Sequence, residues 1–188
     1  MALTRLGPNQ AINLASNVTG TLATGNGGTG ATSFTAGITM YDQWRLNDDL
    51  AGDHTPIASY LERVDTATQS FIGSAMTQSS GIFTFPSTGI YLVKFLCVQN
   101  AHSAEDYAAF SINSTTNNSS YTSIAQGYEG ATTGFAYGSA TIESTVDVTD
   151  TSNVKVRFDV TQANTSNRLK GQSTRNRTTF TFIRLGDT

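Results

Sequence analysis

The sequence predicts an all-β head preceded by an extended N-terminal arm. Thr, Ser, Gly and Asn together supply 79 of the 188 residues, a composition typical of turns and strands. Charged residues make up only 13% of the chain, against about 25% in ordinary soluble domains. With three lysines in the whole sequence, the Glu–Lys pairs that support surface helices are nearly absent. A helical bundle or coiled coil is therefore not expected.

Residues 38–188 form the predicted head, in which short apolar runs alternate with turn residues. Ten strands at this spacing are typical of a β-sandwich or barrel. No segment has the pattern of a crossover helix, so a parallel α/β sheet is not expected. The predicted strands cover 38–46, 57–64, 69–77, 81–85, 89–99, 106–113, 121–128, 134–148, 153–162 and 177–185.

Strands 154–161 and 90–98 differ in how their two faces are composed. In 154–161 one face is apolar (Val154, Val156, Phe158, Val160) and the other polar (Lys155, Arg157, Asp159, Thr161). This alternation indicates one face in the core and one in water. In 90–98 both faces are apolar and only Lys94 interrupts them; the two sets are Ile90, Leu92, Leu96, Val98 and Tyr91, Val93, Phe95, Cys97.

A strand that is apolar on both faces needs a cover on both faces. The sandwich supplies one cover, no helix is available for the second, and we therefore expect another copy of the chain. The alternative is that 90–98 is the central strand of a larger monomeric core. Aromatic residues supply contact area and small residues allow close approach, so we assign a group of inner-sheet residues to the subunit interface: Tyr91, Val93, Phe95, Phe135, Tyr137, Phe180 and Phe182.

The segment 81–95 carries a family resemblance. It reads GIFTFPSTGIYLVKF: a glycine, an aromatic strand, Pro86, then Gly89-Ile-Tyr91 opening the central strand. It resembles the signature of the tumour-necrosis-factor and complement-type globular head, and the closing strand TFTFIRL at 179–185 resembles the end of that family's chain. The resemblance covers 38–188 and implies a ten-strand jelly roll that assembles as a homotrimer, with inner-sheet aromatics around the threefold axis.

The N-terminal arm, residues 1–37, contains no aromatic residue before Phe34 and cannot bury enough apolar surface to order itself. Its segment 18–33, VTGTLATGNGGTGATS, resembles the stalk of bacteriophage tail fibres. Residues 41–46, YDQWRL, resemble the entry to the head domains found in virion proteins of phages of marine bacteria. The resemblance implies a virion protein with an anchor, a stalk and a trimeric head. We assign Leu3, Leu6, Ile12 and Leu14 to the anchor, and Gly25, Gly27, Gly28 and Gly30 to the stalk.

Composition also narrows the function classes. A net charge of −3 argues against non-specific nucleic-acid binding, which needs cations against phosphates. No apolar run approaches the roughly 18 residues of a membrane span, and the first residues lack a signal-peptide core. We therefore expect synthesis in the host cytoplasm, incorporation into the virion and no membrane insertion. The single cysteine, Cys97, is interpreted as a small buried hydrophobic residue.

Four clusters contain residue types that can carry chemistry. Residues 25–30 match GxGxxG, with Asp48 and Asp49 downstream, but no strand precedes them and no helix follows. Residues 48–54 are dense in carboxylates that suit Ca²⁺, without the regular spacing of a calcium loop. The loop 100–106 lacks a nucleophile elbow and suits contact with a ligand better than catalysis. The basic loop 168–177 either contacts acidic glycans or an acidic protein surface or is a solvated loop. The candidate residues of the acidic segment 48–54 are Asp48, Asp49, Asp53 and His54. Those of the loop 100–106 are His102, Ser103, Glu105 and Asp106, and those of the basic loop are Arg168, Lys170, Arg175 and Arg177.

The sequence therefore predicts a non-catalytic protein without metal or cofactor, carried on a phage particle by its arm. Capsid decoration (a cement trimer) and a short tail fibre or spike remain open, and the head loops of a fibre would bind a host-surface glycan or protein. A free, lectin-like trimeric module is the alternative from another class.

Overall fold

The computed structural model describes residues 37–102, 107–130, 134 and 136–188. This part of the chain contains twelve β-strands and no helix. Ile38–Thr188 form one compact unit. The strands are β1 (Tyr41–Leu46), β2 (Leu50–Ala51), β3 (Leu61–Arg63), β4 (Thr77–Ser79), β5 (Ile82–Thr84), β6 (Gly89–Asn100), β7 (Tyr107–Thr115), β8 (Thr122–Gly130), β9 (Tyr137–Val148), β10 (Lys155–Gln162), β11 (Arg168–Leu169) and β12 (Thr179–Gly186).

The strands form two antiparallel sheets. The seven-stranded sheet has the order β2-β11-β6-β12-β1-β3, and β9 pairs along the whole length of β6. Since a strand has two edges, β9 occupies one edge of β6 while β12 and β11 share the other. The five-stranded sheet has the order β4-β5-β10-β7-β8. The predicted all-β class is thereby confirmed.

The core lies between the sheets and is dominated by aromatic rings. Phe95 of β6 lies with its ring centroid 5.5 Å from that of Phe110 on β7 and 5.3 Å from that of Phe158 on β10. The ring centroids of Phe182 on β12 and Phe83 on β5 are 5.1 Å apart. Such tilted and edge-on contacts are the preferred geometries of aromatic pairs. The rings therefore fill the space between two facing sheets.

The tight connections around β5 explain two glycines of the 81–95 segment. Gly81 has φ +80°, and an added Cβ would overlap the carbonyl oxygen of Ile57. Gly89 has φ +140°, and its Cβ would lie 2.6 Å from the carbonyl oxygen of Gly186. Both positions combine a backbone conformation that favours glycine with a close backbone approach. A side chain at either position would therefore be strained.

The predicted strands agree with the observed ones except in three places. Strand 69–77 is wrong: only Thr77 is in a strand, β4, although Ile72 makes an isolated bridge with Tyr41. The two-residue strands β2 and β11 were missed because two residues are too few to show alternation. The predicted arm, residues 1–37, lies outside the described residues apart from Gly37, so the division into arm and head stays a prediction.

Candidate assembly surface

The second face of β6 is apolar, and the described residues cover it only in part. Along β6 the residues alternate between fully buried positions and partly exposed ones. The partly exposed apolar set is Ile90, Leu92, Leu96 and Val98, which point away from the core. The sequence argument that this strand is apolar on both faces is therefore confirmed for the single chain, with one face left open.

Neighbouring strands extend this open surface. Ile183 of β12 pairs with Leu92, and Tyr41 of β1 pairs with Ile183, so the three lie in one row across the sheet. Leu185, at the bulge near the end of β12, is 58% exposed. We call Ile90, Leu92, Leu96, Val98, Ile183 and Leu185 together the apolar face. It is bordered on the β9 side by alternating exposed polar residues such as Thr141 and Thr145.

One ion pair lies in the middle of the apolar face. Lys94 and Glu143 are directly opposite each other on β6 and β9, with Nζ 3.7 Å from Oε2. Their side chains are 47% and 56% exposed, so water screens the pair in the single chain. On the other side of Lys94 lies Thr181, which is short and buried beside its longer neighbours. The apolar face thus combines aliphatic side chains with one solvent-exposed ion pair.

Five of the predicted interface residues lie in the core instead. Tyr91, Val93, Phe95, Phe180 and Phe182 are each fully buried within the single chain. Their assignment to the subunit interface was wrong, because the two faces of β6 are equally apolar and the sequence does not show which one meets the other sheet. The aromatic face points into the core, where it packs against aromatic rings of the five-stranded sheet. The opposite, aliphatic face is the open one.

The two remaining interface candidates have different outcomes. Tyr137 begins β9 opposite Asn100 and is 69% exposed, so it is available at the end of the sheet. Phe135 lies outside the described residues, as do all the anchor and stalk residues: Leu3, Leu6, Ile12, Leu14, Gly25, Gly27, Gly28 and Gly30. Those assignments stay predictions.

The acidic segment 48–54 is held by contacts within the chain. Asp49 pairs with Lys170 and accepts a hydrogen bond from the Gly171 amide at 3.0 Å. Burial by itself raises the pKa of Asp49, but the hydrogen bonds from Lys170 and Gly171 outweigh it and hold that pKa below its usual value. Asp53 accepts a hydrogen bond from the Gln162 amide at 2.7 Å. Structural roles therefore account for these carboxylates.

His54 Nε2 lies 3.0 Å from the Ala51 carbonyl oxygen, which ties the imidazole to its own loop. Across the described part of the chain, no three His, Cys, Asp or Glu residues gather in a way that would hold a metal ion.

The other candidate clusters are only partly visible. The His102 amide donates to Asn167 Oδ1 at 2.8 Å, whereas Ser103, Glu105 and Asp106 lie outside the described residues. In the basic loop, Lys170 is paired with Asp49, while Arg168 and Arg175 are exposed.

Cys97 is fully buried, as expected for a small core residue, and burial with the nearby charge of Glu129 raises its pKa to about 12. In the ranges that the structure covers, no helix is long and apolar enough to cross a membrane.

Comparison with solved structures shows the fold. Eiger TNF from S. frugiperda superposes with a TM-score of 0.60 at 11% sequence identity, covering 81% of this chain and 96% of that chain. Murine APRIL at pH 5.0 gives 0.57 at 13% identity, covering 78% and 98%. The head is a jelly roll of the tumour-necrosis-factor type. At such identities the likeness concerns the fold alone. No family model matches the chain, and no curated protein matches it.

Proposed function

We propose that this chain is a non-catalytic homotrimer whose head assembles through the apolar face and whose arm displays it on the surface of a phage particle. The observation that carries the proposal is the open aliphatic surface on β6 and β12. A jelly roll of the tumour-necrosis-factor type supports a trimeric binding module, which is the coarser part of this function.

The size of the apolar face suits association. Full burial of one Leu or Ile side chain contributes about 1.5–3 kcal/mol. Six side chains that are already partly covered contribute on the order of 5 kcal/mol per subunit on this scale, which is near the lower end of the roughly 4–15 kcal/mol that association costs. The remaining contact area comes from exposed aromatic residues at the rim, such as Tyr137. Tyrosine is enriched at protein interfaces because its ring is apolar and its hydroxyl tolerates water.

Display on a particle rests on the arm. The stretch 18–33 resembles a phage stalk, and a segment of this composition gains order from neighbouring chains or from a larger particle. As a capsid decoration, the trimer would stabilise coat subunits by binding them in their assembled state. As a short fibre, it would bind a host-surface ligand and gain avidity from its three heads.

The test of assembly is sedimentation of the purified chain beside the 38–188 truncation and a Leu92→Asp variant. We expect trimers for the first two proteins and monomer or aggregate for Leu92→Asp, because its carboxylate would be buried at the interface. Gln126→Asp, on the exposed outside of β8, is the matched control and should remain trimeric. An unchanged trimer from Leu92→Asp, or monomers from both unsubstituted chains, would contradict the proposal.

The arm separates display on a particle from a free binding module. Deletion of residues 1–37 should abolish incorporation into phage particles and leave the trimer intact. A truncated chain that still enters particles would contradict the role of the arm. A chain that needs no particle for its activity would favour the lectin-like alternative.

A further inference from the structure

A cleft of about 420 Å³ opens beside β3, in the segment that leads from β3 towards β4. Its walls carry six side chains able to contact a ligand: Glu62, Arg63, Asp65, Gln69, Ser70 and Phe71. This volume falls within the roughly 300–1,000 Å³ of small-ligand sites. The cleft is therefore large enough for one small polar molecule.

A buried arginine positions the two carboxylates of the cleft. Arg45 of β1 is fully buried, with Nε 2.8 Å from Glu62 Oε2 and Nη2 2.9 Å from Asp65 Oδ1. Its Nη1 also donates to Thr66 Oγ1 at 2.9 Å. Within the described ranges no hydrogen bond reaches Glu62 Oε1 or Asp65 Oδ2. Each carboxylate is thus held by one oxygen and offers the other, which is the preorganisation that binding sites require.

An aromatic wall completes the cleft. Phe71 is 45% exposed although it is a large apolar residue. The Arg63 guanidinium lies between two rings, with Cζ 4.7 Å from the centroid of Trp44 and 5.6 Å from that of Phe71. Arg63 is itself fixed by Asp42, with Nε 3.1 Å from Oδ1. The open part of the Phe71 ring is therefore a supported apolar surface beside the carboxylates.

The charges restrict the ligand. Arg45 is shared by Glu62 and Asp65, and Arg63 is paired with Asp42, so the five groups sum to −1. A negative surplus disfavours phosphate, sulfate or acidic sugars. A second cation on the Phe71 ring would be repelled by Arg63, which already contacts it. A neutral molecule with hydroxyl donors for the carboxylates and an apolar C–H face for the ring suits both walls of the cleft.

We propose that this cleft binds one unit of a neutral saccharide, with its C–H face on Phe71 and its hydroxyls on Glu62, Asp65, Gln69 and Ser70. The inference rests on the proposed function and deepens it, because it gives the displayed head a class of surface ligand. Single-site binding of a monosaccharide is weak, and three cleft copies on one trimer would supply the avidity.

The test uses the full chain with D-galactose, D-mannose and N-acetyl-D-glucosamine as probes, measured by saturation-transfer NMR and titration calorimetry. At least one sugar should bind, and Phe71→Ala should weaken it about tenfold through loss of ring contact. Phe71→Tyr keeps an aromatic ring and should retain binding, while Gln69→Ala should weaken it less than Phe71→Ala. Tyr128→Ala, which removes an even more exposed ring on β8, is the control and should bind as the unchanged chain does.

Binding of none of the three sugars overturns the proposal, and so does binding that survives Phe71→Ala or is lost equally in Tyr128→Ala. Sedimentation of each variant separates this result from the assembly test. A monomer that binds sugar would refute the trimer and leave the cleft standing. A trimer that binds none of the three sugars would refute the proposed sugar site and leave the proposed assembly unaffected.

Discussion

Asp42 is a single buried carboxylate that links several segments of the sandwich through hydrogen bonds and an ion pair. It is fully buried, and its carboxylate receives the Trp44 indole N–H at 3.1 Å and the Met76 amide at 2.9 Å. Arg63 supplies the compensating charge at 3.1 Å. A buried charge is tolerated when it is paired and hydrogen-bonded on all sides. Asp42 therefore joins β1, β3 and the residue before β4 at one point.

Asp42→Ala should lower the free energy of unfolding by about 2–4 kcal/mol, because it leaves the Trp44 and Met76 donors buried without an acceptor. Urea denaturation followed by tryptophan fluorescence measures this directly. Asp147→Ala, an exposed carboxylate on β9, should change the stability by less than about 0.5 kcal/mol. Equal stability for Asp42→Ala and the unchanged chain would show that water replaces these hydrogen bonds.

At the scale of elements, β10 and β6 show what sequence alone can assign. The apolar face of β10 was predicted correctly, since Val156, Phe158 and Val160 are buried in the core. Its other face was predicted to lie in water, but Lys155 is buried with its ammonium bonded to Thr84 and Thr151, and the side chains of Arg157 and Asp159 are only 22% and 15% exposed. For β6 the open face was predicted to exist, but it was assigned to the wrong side. The choice depends on rings more than ten residues away, such as Phe110 and Phe158, and no local pattern contains that information.

The candidate sugar cleft was missed for a related reason. The apolar side chains of Phe71 and Ile72 predict a strand, yet both residues are exposed, outside any strand, and Phe71 lines the cleft. Arg45 gave no sign of burial in the sequence, because its partners Glu62 and Asp65 come from a segment that folds over β1. A site made by one buried charge and a distant loop has no short sequence signature.

One ion pair joins Asp49, the residue before β2, to Lys170, the residue after β11, and its contribution to stability should be visible as a pH effect. Asp49 has its pKa lowered by folding, so its contribution is fully present above the unfolded value of 3.8 and is lost as the pH falls through the lower folded value. Asp49→Asn should therefore lower stability at pH 7 by at most about 1 kcal/mol, as for a partly exposed pair. The difference from the unchanged chain should shrink towards pH 3.

Chemical denaturation of both proteins at the two pH values provides this measurement. Asp48→Asn is the neighbouring control, because among the described residues the Asp48 carboxylate accepts a hydrogen bond from the Asp49 amide alone. A difference that grows on acidification would reverse the assigned sign.

At the scale of the whole molecule, the head is a sandwich with one sealed apolar layer and one open apolar face. The sealed layer is the ring-filled core, and the open face is carried by β6 and β12. In the proposed trimer, the apolar face of each subunit is buried against the other two subunits. On this interpretation the charge pair Lys94–Glu143 enters the interface, where water no longer screens it.

Glu143→Lys should raise the trimer dissociation constant at least about tenfold, because it places two ammonium groups opposite each other within the interface. Sedimentation over a range of concentrations measures the constant. Asp150→Lys makes the same change of charge in the turn before β10 and should leave the trimer unaffected. Loss of assembly in both variants would point to total charge instead of the interface.

Lys94 has a second consequence, which concerns the subunit before its partners arrive. It is the one charge within the apolar run 90–98, and alternate residues of that run lie on the apolar face, which would stay open until the proposed trimer forms. Long apolar strands exposed in this way promote aggregation, and a charge inside them acts as a gatekeeper. Replacement of Lys94 and Glu143 by leucine would remove a desolvation cost from the trimer and at the same time lengthen the adhesive strand of each newly made subunit. Lys94 would thus weaken the proposed trimer while keeping the unassembled subunit soluble.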